Sequence, residues 1–422
     1  MRQIACTCVL RLLGSLKFRY FLRSLRSFAA ISFCRRPVAQ FQLCFQPGSI
    51  YCSLVPRSVF VKVSLTAVFA TTFCYGAENQ APAELAPTPT PVPARSVVVR
   101  TESPDAIYDY KTNNAVVSRM VNDVVMSVTG EGSVAAAWAS LVRPSDIVGI
   151  KVSANGAPLF STRPAVVQAI ANGLREAGVP AENIVVWDRE EELLKRGGFH
   201  SRVGGYRVLW SEGNYDPQVA VSSPVSGQLI YGDLFFVGKN LPNLKEELKP
   251  EDGHKKGLPI NISNESHVSK VLTKVVTKVI NVPVLADNIY CGLSGSLFNM
   301  TVQNVDNWRR LVQPPDSGDP SIPELYSDPR ISQKVVLTIM DGLVALYAGA
   351  PFGDANYAIH FGTIYASKDP VALDAIASKQ LDKWRVDAKM DPVSKTAKYV
   401  ETAASMQLGN ADLGHIEIRD VR

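Results

Sequence analysis

The sequence predicts an α/β protein built on a mostly parallel sheet with helices on both faces, in Rossmann-like βαβ units. Three observations predict it. Strand and helix periodicities alternate along residues 96–422. Several of the strands are strongly apolar, as strands covered on both faces are. One stretch, Ile147–Trp187, has strand, loop, helix and strand at the spacing of a right-handed crossover, which makes its two strands parallel.

Taken in order, Ser96–Arg100 reads as a short strand. Val117, Met120, Val121, Val124, Val125 and Val128 recur at helical spacing, so residues 114–128 form an amphipathic helix that Gly130 and Gly132 end. Ile147–Val152 is a mostly apolar strand, and the loop Ser153–Thr162 comes after it with Asn155 and Gly156 inside. Pro164 stands near the first helical position, where its missing N–H costs nothing. Val166, Val167, Ile170, Leu174 and Ala177 line one helix face, and Gly178 is the expected residue past the end. Ile184–Trp187 is the next strand, closed by Asp188. Gly197, Gly198, Gly204 and Gly205 break a helix and precede a strand at Tyr206–Trp210, and Lys245–Lys256 is a charge run typical of a solvated loop. Val275–Leu285 is a strand with Pro283 near its end, and Lys334–Met340 is a strand ending in Asp341. Gly362–Ser367 leads into DPVALD, where Asp369 can cap and Pro370 can start a helix to about Trp384. In that helix Asp374 faces either solvent or the rim of the sheet. Residues 398–408 form a last helix and His415–Val421 a last strand. Ligands of such sheets bind outside the carboxyl ends of the strands.

The folded body is expected over 96–422. Residues 1–77 hold ten Lys or Arg and no Asp or Glu; without those ten, the 44 basic residues fall to 34 against 39 acidic, so the net +5 of the chain becomes −5 for the remainder. A mildly acidic body offers no electrostatic footprint for nucleic acid. Cys6, Cys8, Cys34, Cys44, Cys52 and Cys74 all precede the body, which leaves Cys291 without a disulfide partner. No CxxC occurs, so neither a structural zinc site nor an iron–sulfur cluster is expected. Residues 57–77 read as a secretory signal: Arg57 and Lys62 supply the positive region, Val63–Phe73 is an apolar run too short to span a bilayer, and small residues around Gly76 suit cleavage before Ala77. Residues 1–56 read as an over-extended, unfolded leader, with an Arg-rich organellar transit peptide as the competing reading. Residues 78–95 are a Pro/Ala/Thr linker, extended and solvated. The mature protein is then exported, periplasmic or extracellular, with no membrane span.

GxxxxGK[ST], GxSxG, HExxH and GxGxxG are all absent, which weighs against ATP-driven, serine-hydrolase and zinc-protease chemistry and weakens nicotinamide binding. Lys151, at the end of its strand, either places an ammonium at a site mouth or snorkels to solvent. Asp188, Asp287 and Asp341 each follow a predicted strand. On neighbouring parallel strands they would converge on one rim, to hold a divalent cation or to shift one another's pKa into an acid and a base. The plainer account is that each caps the turn after its strand. Asn299, Asn304 and Asn307 with Trp308-Arg309-Arg310 either read a polar ligand or form a polar helix face. The five histidines are scattered, with no pair at i,i+3 or i,i+4. Cys291, beside Gly292, is a nucleophile only if its pKa is depressed, and otherwise a small buried residue.

Three blocks, VGIKVSANGAPLFSTRPAVVQAI, INVPVLADNIYCGLSGSLFNMTVQNVDNWRR and IMDGLVALYAG with YASKDPVALDAI, occur in that order and together resemble the bacterial family catalogued as domain of unknown function 362. The resemblance covers most of residues 145–385 and implies no particular reaction. Some members carry an added iron–sulfur domain, which the missing CxxC excludes here. Members often have Lys and His after the INVPVL strand, where this chain has Ala286 and Asn288, and Lys-Asn later in the block, where it has Phe298-Asn299. Any anion binding or proton transfer by those basic groups is lost.

Two functional readings stay open. One is an enzyme acting on a small polar or anionic ligand, with Asp341, Asp188 and Lys151 catalytic, Asn155, Gly156, Asp287 and Asn299 binding the ligand, and a divalent metal as cofactor. The other is a non-catalytic periplasmic module binding a ligand or partner on the same fold. A chain beginning at Glu78 is expected to be soluble and to melt cooperatively; its aggregation under conditions where the full chain folds would refute the leader reading.

Overall fold

The computed structural model describes residues 41–46, 49–54, 92–200, 205–221, 266–312 and 317–421. The remainder of the expected leader, most of the expected linker and the charge run Lys245–Lys256 lie outside the described residues. The chain divides into two units, Met1–Ala86 and Pro87–Arg422. In the first, strands Phe41–Gln46 and Ser49–Leu54 pair antiparallel, where the sequence predicts no element.

In the second unit the principal elements are β1 Ser96–Glu102, α1 Asn114–Thr129, α2 Val134–Ala139, β2 Val148–Val152, α3 Pro164–Glu176, β3 Ile184–Asp188, β4 Arg207–Trp210, β5 Lys278–Val282, β6 Val284–Asn288, β7 Gly292–Leu293, α4 Ser296–Met300, β8 Val335–Leu346, β9 Ala358–Ser367, α5 Pro370–Asp387, α6 Tyr399–Ser405 and β10 Ile416–Val421. They build one 10-stranded sheet in the order β10-β1-β9-β8-β5-β2-β3-β4, with β6 on β8 and β7 on β6. The pairs β2/β3, β3/β4, β5/β2, β5/β8, β6/β8 and β10/β1 are parallel. The fold class is therefore the one expected, a mostly parallel sheet in an α/β architecture. β9 departs from it by running antiparallel to both β8 and β1.

Both faces of the sheet are buried, and the two-residue period of the strands divides their side chains between two cores. Ile184 and Val186 of β3 pack with Val148, Ile150 and Val152 of β2 and the apolar stripes of α1 and α3. Val185 and Trp187 face the other way, into a core with Leu297 of α4, Leu373 of α5 and Tyr399 of α6. Local signals hold the helices in place. The Asn113 side chain accepts from Val116 N–H and Gly130 closes α1 at φ +77°; Pro164 opens α3; Asp369 caps α5 through Val371 and Ala372 N–H.

Two strand boundaries differ from expectation in ways that move candidate residues. The predicted strand Val275–Leu285 is two strands, because Pro283 has no N–H to continue the ladder. Its carbonyl still accepts from Asp341 N–H at 2.8 Å. The strand predicted to end at Asp341 runs on to Leu346. The apolar GLVAL beyond it finds partners on both sides, so Asp341 lies mid-strand between Val284 and Ile364. Among the described residues no helix is long and apolar enough to cross a membrane.

Candidate functional site

Strand alternation decides the fate of Lys151. Ile150 and Val152 point into one core, so Lys151 points into the other, beneath α4. In register it stands between Trp187 on β3 and Asn281 on β5. The side chain is 0% exposed. Its Nζ donates to Asp188 Oδ1 at 2.6 Å, to the Val152 carbonyl at 2.9 Å and to Asn299 Oδ1 at 3.1 Å. An ammonium has three protons and here all three are engaged. Burial pushes the Lys151 pKa down, and the Asp188 carboxylate opposes that shift. Lys151 is therefore neither a cation at a site mouth nor a snorkelling surface residue.

The amides around it complete a buried polar row. Asn299 Nδ2 donates to Asn281 Oδ1 at 2.8 Å and to the Lys151 carbonyl at 3.3 Å. Asn281 Nδ2 donates to the Ser296 carbonyl at 2.9 Å, and Trp187 Nε1 donates to Asn304 Oδ1 at 3.0 Å. Asn304 returns two bonds to the carbonyls of Asn299 and Met300. Asp374 faces neither solvent nor rim: it is buried and accepts from Ser296 and Leu297 N–H at 2.5 and 3.0 Å, so it caps α4. Asn299 is thus a partner of the lysine and of the sheet, within the core.

The strand carboxylates hold loops. Asp188 Oδ2 accepts from Ala154 N–H at 2.6 Å and Asp341 Oδ2 accepts from Arg163 N–H at 2.7 Å, so the two carboxylates clasp the two ends of the 153–163 loop. Thr162 closes the neck: its hydroxyl accepts from Ser153 N–H at 2.9 Å and donates to the Val282 carbonyl at 2.8 Å. Gly156 bridges to Phe160, and a Cβ there would sit 2.5 Å from the Phe160 carbonyl oxygen, so the turn itself requires glycine. Asn155 is half-buried and makes no side-chain hydrogen bond among the described residues. Asp287 does the same service for the 346–357 loop, accepting from Ala350 N–H at 2.9 Å and facing Arg385 Nη1 at 3.4 Å.

The expected rim of three convergent carboxylates does not form. Asp188, Asp287 and Asp341 each have their own donors, and among the described residues no group of three or more His, Cys, Asp or Glu is placed to hold a metal ion. Burial raises the pKa of Asp341, and it lifts Asp287 and Asp374 to about 6, against the pull of their backbone N–H donors. Burial also pushes the Cys291 thiol far up, which removes it as a nucleophile at neutral pH.

One cluster at the carboxyl edge is only half visible in the sequence. Arg189 directly succeeds β3, and its guanidinium stacks 4.5 Å from the Trp308 ring centroid, with Arg309 at 4.8 Å. Tyr290 meets the same indole edge-on at 6.4 Å. The Trp308-Arg309 pair stands out in the sequence; Arg189, a lone cation beside Asp188, carries no local signal.

Residues 247–379 match the family model described as Domain of unknown function (DUF362). The chain therefore resembles that family over the second and third sequence blocks, while the first block, residues 148–170, lies outside the match. No curated protein matches the chain. A crystal structure of a Thermotoga maritima protein, a Northeast Structural Genomics Consortium target, is similar with a TM-score of 0.36 and 10% identity; the match covers 68% of this chain and 60% of that one, less than two thirds of its length.

This geometry has two measurable consequences. Asp341 accepts a second N–H, from Leu343 at 3.0 Å, besides that of Arg163. An amide supplies one acceptor oxygen in place of two, so Asp341→Asn is expected to cost about 1–3 kcal/mol in urea denaturation, where a simple cap would lose only a few tenths. Asp287 holds its proton up to about pH 6 when folded, against about 3.9 in an unfolded chain. The folded state binds that proton more tightly, so this contribution to stability falls as pH rises from about 4 to about 6 and is flat above. Asp374 acts with the same sign. Asp287→Asn is expected to reduce, without abolishing, the fall in unfolding free energy between pH 4 and 6.

Proposed function

We propose that this chain, which resembles the DUF362 family over residues 247–379, is an exported, non-catalytic module that binds a small anionic ligand at the carboxyl edge of its sheet. The observation that carries the reading is that the charged groups suited by type to catalysis are engaged inside the protein. Lys151 has three acceptors, and Asp188, Asp287 and Asp341 hold backbone N–H groups of the rim loops. A catalytic acid or base must reach a substrate proton, and these groups face loop backbone. The departures at Ala286, Asn288 and Phe298 from the basic residues often found in that family remove groups that could transfer a proton, which favours a module over an enzyme, and leave anion contact to other cations of this edge. Export rests on the Arg57–Ala77 pattern of charge, apolar run and small residues.

Native mass spectrometry with metal analysis on the chain purified from its own host tests this reading. A stoichiometric, unmodified small organic anion and no stoichiometric divalent metal is the expected result. A tightly held divalent ion, or a carried molecule converted to product on incubation, would replace the binding module by an enzyme.

A further inference from the structure

We propose that Arg189, set against the Trp308-Arg309 pair, is the carboxylate-binding group of this edge, taking a small monocarboxylate through the Nη1 side of its guanidinium. The inference rests on the binding-module reading and gives it a location and a ligand class. Arg189 is the first residue after β3, and its carbonyl is fixed by Glu212 N–H at 2.9 Å and Ser211 N–H at 3.2 Å, so the side chain starts from a rigid point. Trp308 at 4.5 Å holds the plane of the guanidinium. Glu190 Oε1 occupies one edge, receiving Nε at 3.1 Å and Nη2 at 2.5 Å. Nη1 is buried and has no hydrogen-bond partner among the described residues.

A buried charged donor without an acceptor costs free energy comparable to a lost charge-assisted bond, and a native protein seldom leaves one unfilled. The guanidinium is a planar fork of five N–H groups, and with Glu190 on the Nε edge the Nη1 and Nη2 hydrogens at the far end remain for a second planar oxyanion. Two neighbours suit such an occupant. Arg309 places a second cation over the same indole at 4.8 Å. Tyr215 makes no side-chain hydrogen bond among the described residues; burial raises its pKa, while Arg189 pulls it down, so the phenol is a protonated donor within the field of that guanidinium. A third neighbour sets a limit on charge. Glu190 Oε1 already sits on the same guanidinium and offsets its charge, so a dianion would meet repulsion there. A monocarboxylate fits both the fork and the field better than phosphate does.

The test is calorimetric titration of the full chain with acetate, and with inorganic phosphate at matched ionic strength. Saturable acetate binding, tighter than phosphate, is expected. Arg189→Gln should weaken acetate by at least about tenfold, since a hydrogen bond to a charged group is lost. Glu190→Gln, which leaves the core untouched, should tighten acetate by removing the negative charge that offsets the guanidinium, and it keeps the proposal testable if Arg189→Gln misfolds. Acetate affinity unchanged in both variants overturns this site and leaves the binding-module reading standing. Phosphate binding more tightly than acetate overturns the ligand class. An unliganded wild-type chain that takes up neither anion overturns the site, while an organic anion carried from the host would still support the module.

Discussion

The second unit is organised around an ammonium ion placed where water cannot reach it. Moving a lysine from solvent into a protein interior costs several kcal/mol unless charge and hydrogen bonds are restored there. Lys151 meets that condition only when three separate pieces are in place: its own strand end, the carboxyl end of β3 at Asp188, and α4 through Asn299. The arrangement is an assembly condition as much as an interaction. Asn299 cannot accept from the lysine without also bringing Asn281 and the 302–304 turn onto the sheet, and Asp188 cannot face the lysine without presenting its other oxygen to the 153–163 loop. A hydrophobic residue at 151 could pack as well, but it would not tell α4 where to sit; the polar row supplies register that apolar contacts leave open.

Much of the fold is legible in the sequence because it depends on short-range pattern. Pro164, Gly130 and Asp369 act through neighbours within a turn, and the βαβ unit lies in one continuous stretch. The points where expectation and structure part share a different cause. A charge in an apolar strand suggests a strand end and a mouth for Lys151, whereas strand period puts it under a helix distant in sequence. Asp is poor in strands and so suggests a terminator at 341, but the segment continues between β6 and β9, whose positions the local sequence does not encode. The clasp on the 153–163 loop joins residues 34 and 178 positions apart. No spacing rule could pair them. Arg189 stays hidden for the same reason, since its partner Trp308 is distant in sequence.

The raised carboxyl pKa values of this fold belong to groups with structural duties. Desolvation that shifts a catalytic acid also shifts a buried cap. Asp287 and Asp374 are both lifted to about 6, yet each is turned toward backbone N–H groups and performs the work of a turn or helix end. The distinguishing feature is what remains open after internal bonds are counted. Among the described residues no buried oxygen of Asp287 or Asp374 is left over, and for Arg189 one nitrogen is.

The order of the sheet also bears on how the protein behaves in crowded solution. β10 is the terminal strand, and a terminal strand presents ladder groups to which a foreign chain could add. Its sequence, IEIRDV, sets Glu417, Arg419 and Asp420 along that strand, with Arg419 paired to Glu417 and Asp420 to Arg100 on the adjoining β1. Exposed pairs of this kind add little to folding free energy. Their value lies in what they exclude: a second molecule attempting to extend the sheet at this end would have to strip water from a row of charges before gaining a single backbone bond. The terminal strand of the sheet thus carries charges of the kind that discourage edge-to-edge pairing.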